Sequence, residues 1–307
     1  MSTGWVAGNV RAKALLNRRL GVGRARAVAA MGSLAAAQHA LVDGGYGHRV
    51  VAGQTLAETE HAVIAVPLWH LRVLAGWQPR EGAHAIRSLA VGFEAANIVT
   101  HARVLAGVPS QPLFDLGALA TAWPRLRETS SLAELRRALS TSPWGDPGGD
   151  TPSEIAVGVQ VSWAVRVATT VPEASSWAAG GLALLVARRH LLQQRRLPDR
   201  TSDHVARILG PPAMTSRDLA SFAAALPARA RWALSGVSDV DELWRGEARW
   251  WSRVDDDGFR LLGGTGFSRA RSVGAVAMLA ADAWRCRAAV RLAARGGEPM
   301  DVFDAIA

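Results

Sequence analysis

Ser33–Gly47 reads SLAAAQHALVDGGYG, and 98 positions further on Ser131–Gly145 reads SLAELRRALSTSPWG. Leu34/Leu132, Ala40/Ala138, Leu41/Leu139, Tyr46/Trp144 and Gly47/Gly145 fall in register without a gap. Each copy opens on a Ser suited to a helix N-cap, carries apolar residues at helical spacing, and ends in an aromatic and a Gly that turn the chain out. A match at fixed offset marks an internally repeated helical architecture. Chance similarity within an Ala/Leu/Arg-rich helical chain is the other source of such a match.

Outward from the first copy, Trp5, Val6, Val10, Ala14, Leu15 and Leu20 predict an amphipathic helix over 4–20, ended by Gly21 and Gly23, with a further helix over 25–30. Thr55 and Glu58 form a capping box that opens a long apolar run, in which Pro67 predicts a kink or a break. The helix signal over 83–106 is strong. Beyond the second copy, SPWGDPGGDTP (Ser142–Pro152) reads as a turn-rich linker, followed by a helix from Ser153 that stops at Pro172. Trp177–Gln194 runs from apolar to basic, as suits a helix C-terminus. Trp244 and Trp251 stand seven apart with Trp250 beside them, so at least two indoles share a helix face. Asp255–Gly258 and Gly263–Gly266 read as turns, and a last helix over 272–294 ends at Gly296-Gly297. No period-two stretch rich in β-branched residues occurs, which makes the fold class all-α, a single domain over 1–307. Three repeats are expected at approximately 1–110, 111–200 and 201–307, with the third short copy at Ser238–Phe259 and its turn at Asp255–Gly258.

Composition bounds function less tightly. The chain has 12 Trp against one Tyr and six Phe, and Lys13 is its only Lys among 35 basic residues. A formal charge of +9 permits anionic partners, whether nucleic acid, a membrane surface or an acidic protein, without choosing among them. Arg and Asn interrupt the first twenty residues where an export signal needs an apolar core, and no apolar run reaches the length of a membrane span. The single cysteine, Cys286, leaves no internal disulfide and fits a reducing compartment. Its neighbours Arg285 and Arg287 favour a lowered thiol pKa, while a partly buried helical thiol is the plainer reading.

No catalytic set assembles from the motifs. The glycine clusters at 21–23 and 263–266 lack the Lys-Ser/Thr of a phosphate loop and follow no strand. The eight histidines show no metalloprotease spacing, and the Asp255–Asp257 run lacks the ligand spacing of a calcium loop, so neither metal nor cofactor is expected. Glu94, Asn97 and Arg103 recur near one side of a helix, and Asp282 and Arg291 repeat the separation of nine between Glu94 and Arg103. They read either as inward-facing polar pairs that hold helices together or as ordinary boundary charges.

These features together resemble the C-type subunit family of V/A-type rotary ATPases, whose eukaryotic members are the d-type subunits. Asn9, Val10, Arg11, Ala12, Leu15 and Leu16 resemble that family's first helix. The two short helices ending in Tyr46 and Trp144 resemble its recurring helix and Tyr turn, and the helices bearing Glu94/Asn97/Arg103 and Asp282/Arg291 resemble its repeated acidic, Asn and Leu-Arg helices. The chain departs from the pattern at Arg285, where Asn is expected, and between Trp177 and Arg196, where the acidic residue is missing. The resemblance implies a funnel-like, pseudo-threefold, non-catalytic protein at the cytoplasmic face of a membrane. It would join the central-stalk subunits to the proteolipid ring and hold no nucleotide. A basic helical nucleic-acid-binding protein is the alternative, but it calls for Arg gathered on one helix or arm, and Arg here is spread from Arg11 to Arg295 among Asp and Glu.

Overall fold

A computed structural model describes residues 4–304, and among them the chain is all-α, with no strand. It begins with α1 (Gly4–Ala14), α2 (Val22–Ala29), α3 (Leu34–Val42), α4 (Leu56–Gly76) and α5 (Arg80–Leu105). Next come α6 (Trp123–Leu126), α7 (Leu132–Ser140), α8 (Pro152–Thr170), α9 (Ser175–Val186), α10 (Asp199–Leu209) and α11 (Pro211–Met214). The remainder is α12 (Leu219–Ala225), α13 (Ala228–Arg231), α14 (Leu243–Gly263), α15 (Arg269–Ala293) and α16 (Met300–Asp304). The chain divides into two compact units, Met1–Arg87 with Trp251–Ala307, and Ser88–Trp250. None of the described helices is long and apolar enough to cross a membrane.

The first unit is built around α15, which is buried on nearly every side by α2, α3 and α4. Such a helix must be apolar all round, and Val273–Leu279 supplies this almost without interruption. Asp255–Gly258 is not a turn: it lies inside α14, and Gly258 marks the crossing of α14 with α15. A Cβ on Gly274 would lie 2.5 Å from the Gly258 carbonyl oxygen, so the two backbones meet where no side chain fits. The three aspartates stay helical because tertiary ion pairs and this contact outweigh their turn preference; Asp255 meets Arg19 at 3.2 Å and Arg285 at 2.7 Å. Pro67 likewise leaves α4 unbroken, since the helix buries Val63, Val66, Leu68, Leu71 and Leu74, which offsets one missing hydrogen bond. The first helix is shorter than its pattern predicts: α1 tightens into a 3₁₀ turn at Leu15–Arg18, and α2 begins at Val22, directly after Gly21 at φ 78°.

The second unit packs α8, α9 and α10 around Val157, Leu182, Val186, Leu209 and Phe222. Ser142–Pro152 is no linker between units but part of this packing. Trp144 is buried, Asp146 pairs with Arg136 at 2.9 Å, and the Pro147 carbonyl accepts from Thr201 Oγ1 at 3.1 Å. The cap of α8 is Thr151, two residues before the predicted Ser153, in a capping box with Glu154. Trp250 donates from Nε1 to the Trp177 carbonyl at 2.7 Å, whereas Trp244 is 42 % exposed. In the other unit Trp251 stacks on Trp284 with ring centroids 5.5 Å apart.

Candidate functional site

The repeated short helices are capped as their sequences predict. Ser33 accepts from the Ala36 amide and Ser131 from the Glu134 amide, both at 3.2 Å. Each cap sits in extended backbone that any N-cap residue adopts, which starts α3 and α7 at equivalent positions. Thirteen residues after each Ser comes the aromatic, Tyr46 or Trp144, and both are buried.

Both aromatics donate to a buried carboxylate on a long helix. Tyr46 donates its hydroxyl to Asp282 Oδ2 of α15 at 2.7 Å. The backbone amides of Leu20 and Gly21, just ahead of α2, complete that carboxylate at 2.9 and 2.8 Å. Trp144 donates Nε1 to Glu94 Oε1 of α5 at 2.8 Å. The amides of Thr121 and Ala122, just ahead of α6, and the Thr121 hydroxyl donate to the same carboxylate. The two latches share one logic: a carboxylate on a long helix accepts from two successive amides that precede one short helix and from the aromatic that follows the next. Glu94 and Asp282 are each only 1 % exposed, and every hydrogen bond named here makes them acceptors from fixed protein donors. Such groups bind elements together.

A third stretch contains similar parts without the carboxylate. Gly210 has φ 90° ahead of α11, Asp218 accepts from the Ser221 amide at 2.8 Å to cap α12, and Trp232 follows 14 residues after that cap. Trp232 Nε1 donates to Ser176 Oγ at 3.0 Å and the Arg229 carbonyl at 2.8 Å, and its indole lies against Gly180 of α9. α9 has no acidic residue.

The other residues singled out from sequence disperse. Asn97 does not bond Glu94; it clamps the Phe114 backbone, accepting from its amide at 2.7 Å and donating to its carbonyl at 2.9 Å. Arg103 is exposed and joins neither group. Arg291 pairs with Glu60 rather than with Asp282, which raises its pKa through that hydrogen bond. Sequence reasoning missed the amide partners at Leu20, Gly21, Thr121 and Ala122. It also missed Gln38, buried in α3, which donates to the Gln54 carbonyl at 2.6 Å and to Thr59 Oγ1 at 2.8 Å. The polar interruption of an apolar helix face was the available signal for Gln38.

Cys286 is fully buried beside Tyr46, and burial, then the Asp282 charge, pushes its thiol pKa up. The charge of Arg285, itself paired with Asp255, pulls the other way but is outweighed, and Arg287 lies 3.7 Å from Glu60. Burial, then Cys286 and Asp282, likewise pushes the Tyr46 phenol well above its usual value, which keeps it a donor. Among the described residues, no three His, Cys, Asp or Glu side chains gather as a metal site. No protein-family model matches the chain, and no curated protein matches it.

Proposed function

We propose that this chain is a non-catalytic central-stalk subunit of a V/A-type rotary ATPase or ATP synthase, seated between the stalk and the proteolipid ring at the cytoplasmic face of the membrane. The observation that supports this reading is the pair of latches, Asp282 with Tyr46 and Glu94 with Trp144, built from the residues on which the family resemblance rests. In this proposal the architecture is pseudo-threefold. In place of the copy expected at Ser238–Phe259, most of which is one continuous helix, its third copy runs from Leu209 through Asp218 to Trp232, with α9 standing where α5 and α15 stand in the other two. A subunit that passes torque needs long helices held rigidly to the connections between them, and a buried charge-assisted latch does this.

The nucleic-acid alternative is less well supported, because many of the arginines are engaged within the protein. Arg26 with Asp304, Arg136 with Asp146, Arg188 with Glu247 and Arg269 with Glu81 are examples spread over both units. Co-sedimentation of the purified protein with detergent-free proteolipid rings, alongside a gel-shift titration with duplex DNA, separates the two. Saturable ring binding at one copy per ring is expected. Ring binding absent and DNA binding with a steep salt dependence would overturn the proposal.

A further inference from the structure

The first unit contains a cavity of about 510 Å³ that takes no part in the latches. Three chain segments converge on it: Arg11 from α1 with Arg18 from the 3₁₀ turn behind it, His48 and Arg49 from the turn after Tyr46, and Trp69 and His70 from α4. Its volume falls in the range of small-molecule sites. The walls are held in place. A Cβ on Gly45 would lie 2.0 Å from the Arg18 carbonyl oxygen, so only glycine lets the Tyr46 turn pack on the Arg18 backbone. The Arg49 and Val50 amides both donate to the Tyr46 carbonyl, at 3.1 and 3.0 Å, which ties the basic turn to the latched tyrosine.

The lining holds three arginines and no carboxylate. None of Arg11, Arg18 and Arg49 has a carboxylate partner among the described residues; Arg11 rests 5.0 Å from the Trp77 ring centroid. His70 is 4 % exposed, yet its buried Nε2 has no hydrogen-bond partner. Burial, then the charges of His48, Arg18 and Arg11, lowers the His70 pKa to about 4, so the ring is neutral at physiological pH and adds no charge to the lining. A carboxylate side chain engages one guanidinium fork, whereas a phosphoryl group offers several oxygens and up to two charges to several forks at once.

We propose that this pocket binds a phosphate-bearing anion, its oxygens held by Arg11, Arg18 and Arg49, and the rest of the ligand lying against Trp69. The phosphoryl chemistry is shared by free phosphorylated small molecules and by anionic lipid headgroups, and the test separates these sources. Isothermal titration with pyrophosphate and with ATP forms one arm; co-sedimentation with phosphatidylglycerol vesicles, against phosphatidylcholine vesicles, forms the other. Arg18→Gln and Arg49→Gln alter exposed side chains and leave the core intact, and Arg24→Gln on α2 serves as the charge-matched control. Binding is expected in at least one arm, weakened about tenfold or more by each pocket substitution and by less than about twofold in the control. Loss in the pyrophosphate or ATP arm assigns a soluble ligand, and loss in the vesicle arm alone assigns a headgroup. No binding in either arm, binding that survives both pocket substitutions, or equal weakening by Arg24→Gln overturns the proposal.

Discussion

Tyr46→Phe removes one hydroxyl from a buried site and little else, so it isolates the latch of the first unit. The lost bond is the 2.7 Å donation to Asp282 Oδ2. A hydrogen bond to a charged group contributes about 1.5–3 kcal/mol net, and removal is worst where the acceptor is left bare. Here it is not bare, because the Leu20 amide still donates to the same oxygen at 2.9 Å. The expected cost is therefore about 2 kcal/mol, equivalent to a fall in melting temperature of about 4–8 °C for a unit of this size. Since the phenol pKa is pushed well above 10.0, the bond persists through neutral and mildly alkaline pH, and the deficit should be flat between about pH 6 and about pH 9. Urea unfolding followed by far-ultraviolet circular dichroism at several pH values measures it. A change below about 0.5 kcal/mol, which is within the ordinary range for surface substitutions, would refute the latch as a stabilising element.

Glu94→Gln replaces four acceptor contacts with a group that has one acceptor oxygen and turns an NH₂ toward N–H donors, so a loss of about 3–5 kcal/mol is expected in the same assay. A loss under about 1 kcal/mol would mean that Thr121, Ala122 and Trp144 find other partners. Gly274→Ala forces a Cβ to within 2.5 Å of the Gly258 carbonyl and should cost about 1–3 kcal/mol, whereas Gly263→Ala meets open space and should be near neutral; equal effects would contradict the helix crossing. His70, lowered from 6.5 to about 4, stays neutral in the folded chain where the unfolded chain takes up a proton. Its contribution is thus complete above about pH 6.5 and is lost as pH falls toward about 4, by at most about 3 kcal/mol. His70→Phe should flatten that part of the stability–pH curve, and an unchanged slope counts against the buried neutral imidazole.

Local signals carried well from sequence to structure. Ser33 and Ser131 cap helices, and Thr55 with Glu58 forms the capping box, because each device depends on residues three apart. Tyr46 and Trp144 stood out by register alone. Their carboxylate partners lie 236 and 50 residues away, and no local pattern encodes that pairing or the backbone amides that complete it. Asp255–Gly258 shows the opposite failure. Its composition is that of a turn, but the contact between Gly258 and Gly274 on the next helix and the ion pairs of Asp255 with Arg19 and Arg285 hold it in a helix, and none of these partners lies within the stretch itself. The pocket was equally hidden, since Arg11, Arg49 and His70 belong to three different segments that only the folded chain brings together.

The proposed role in a rotary motor is tested most directly by purifying the tagged chain from gently solubilised membranes of its own source and identifying what accompanies it. Proteolipid and central-stalk subunits should co-purify in fixed ratio, with one copy of this chain for each ring. Recovery of the chain free of proteolipid, stalk and every other rotor subunit would contradict the account.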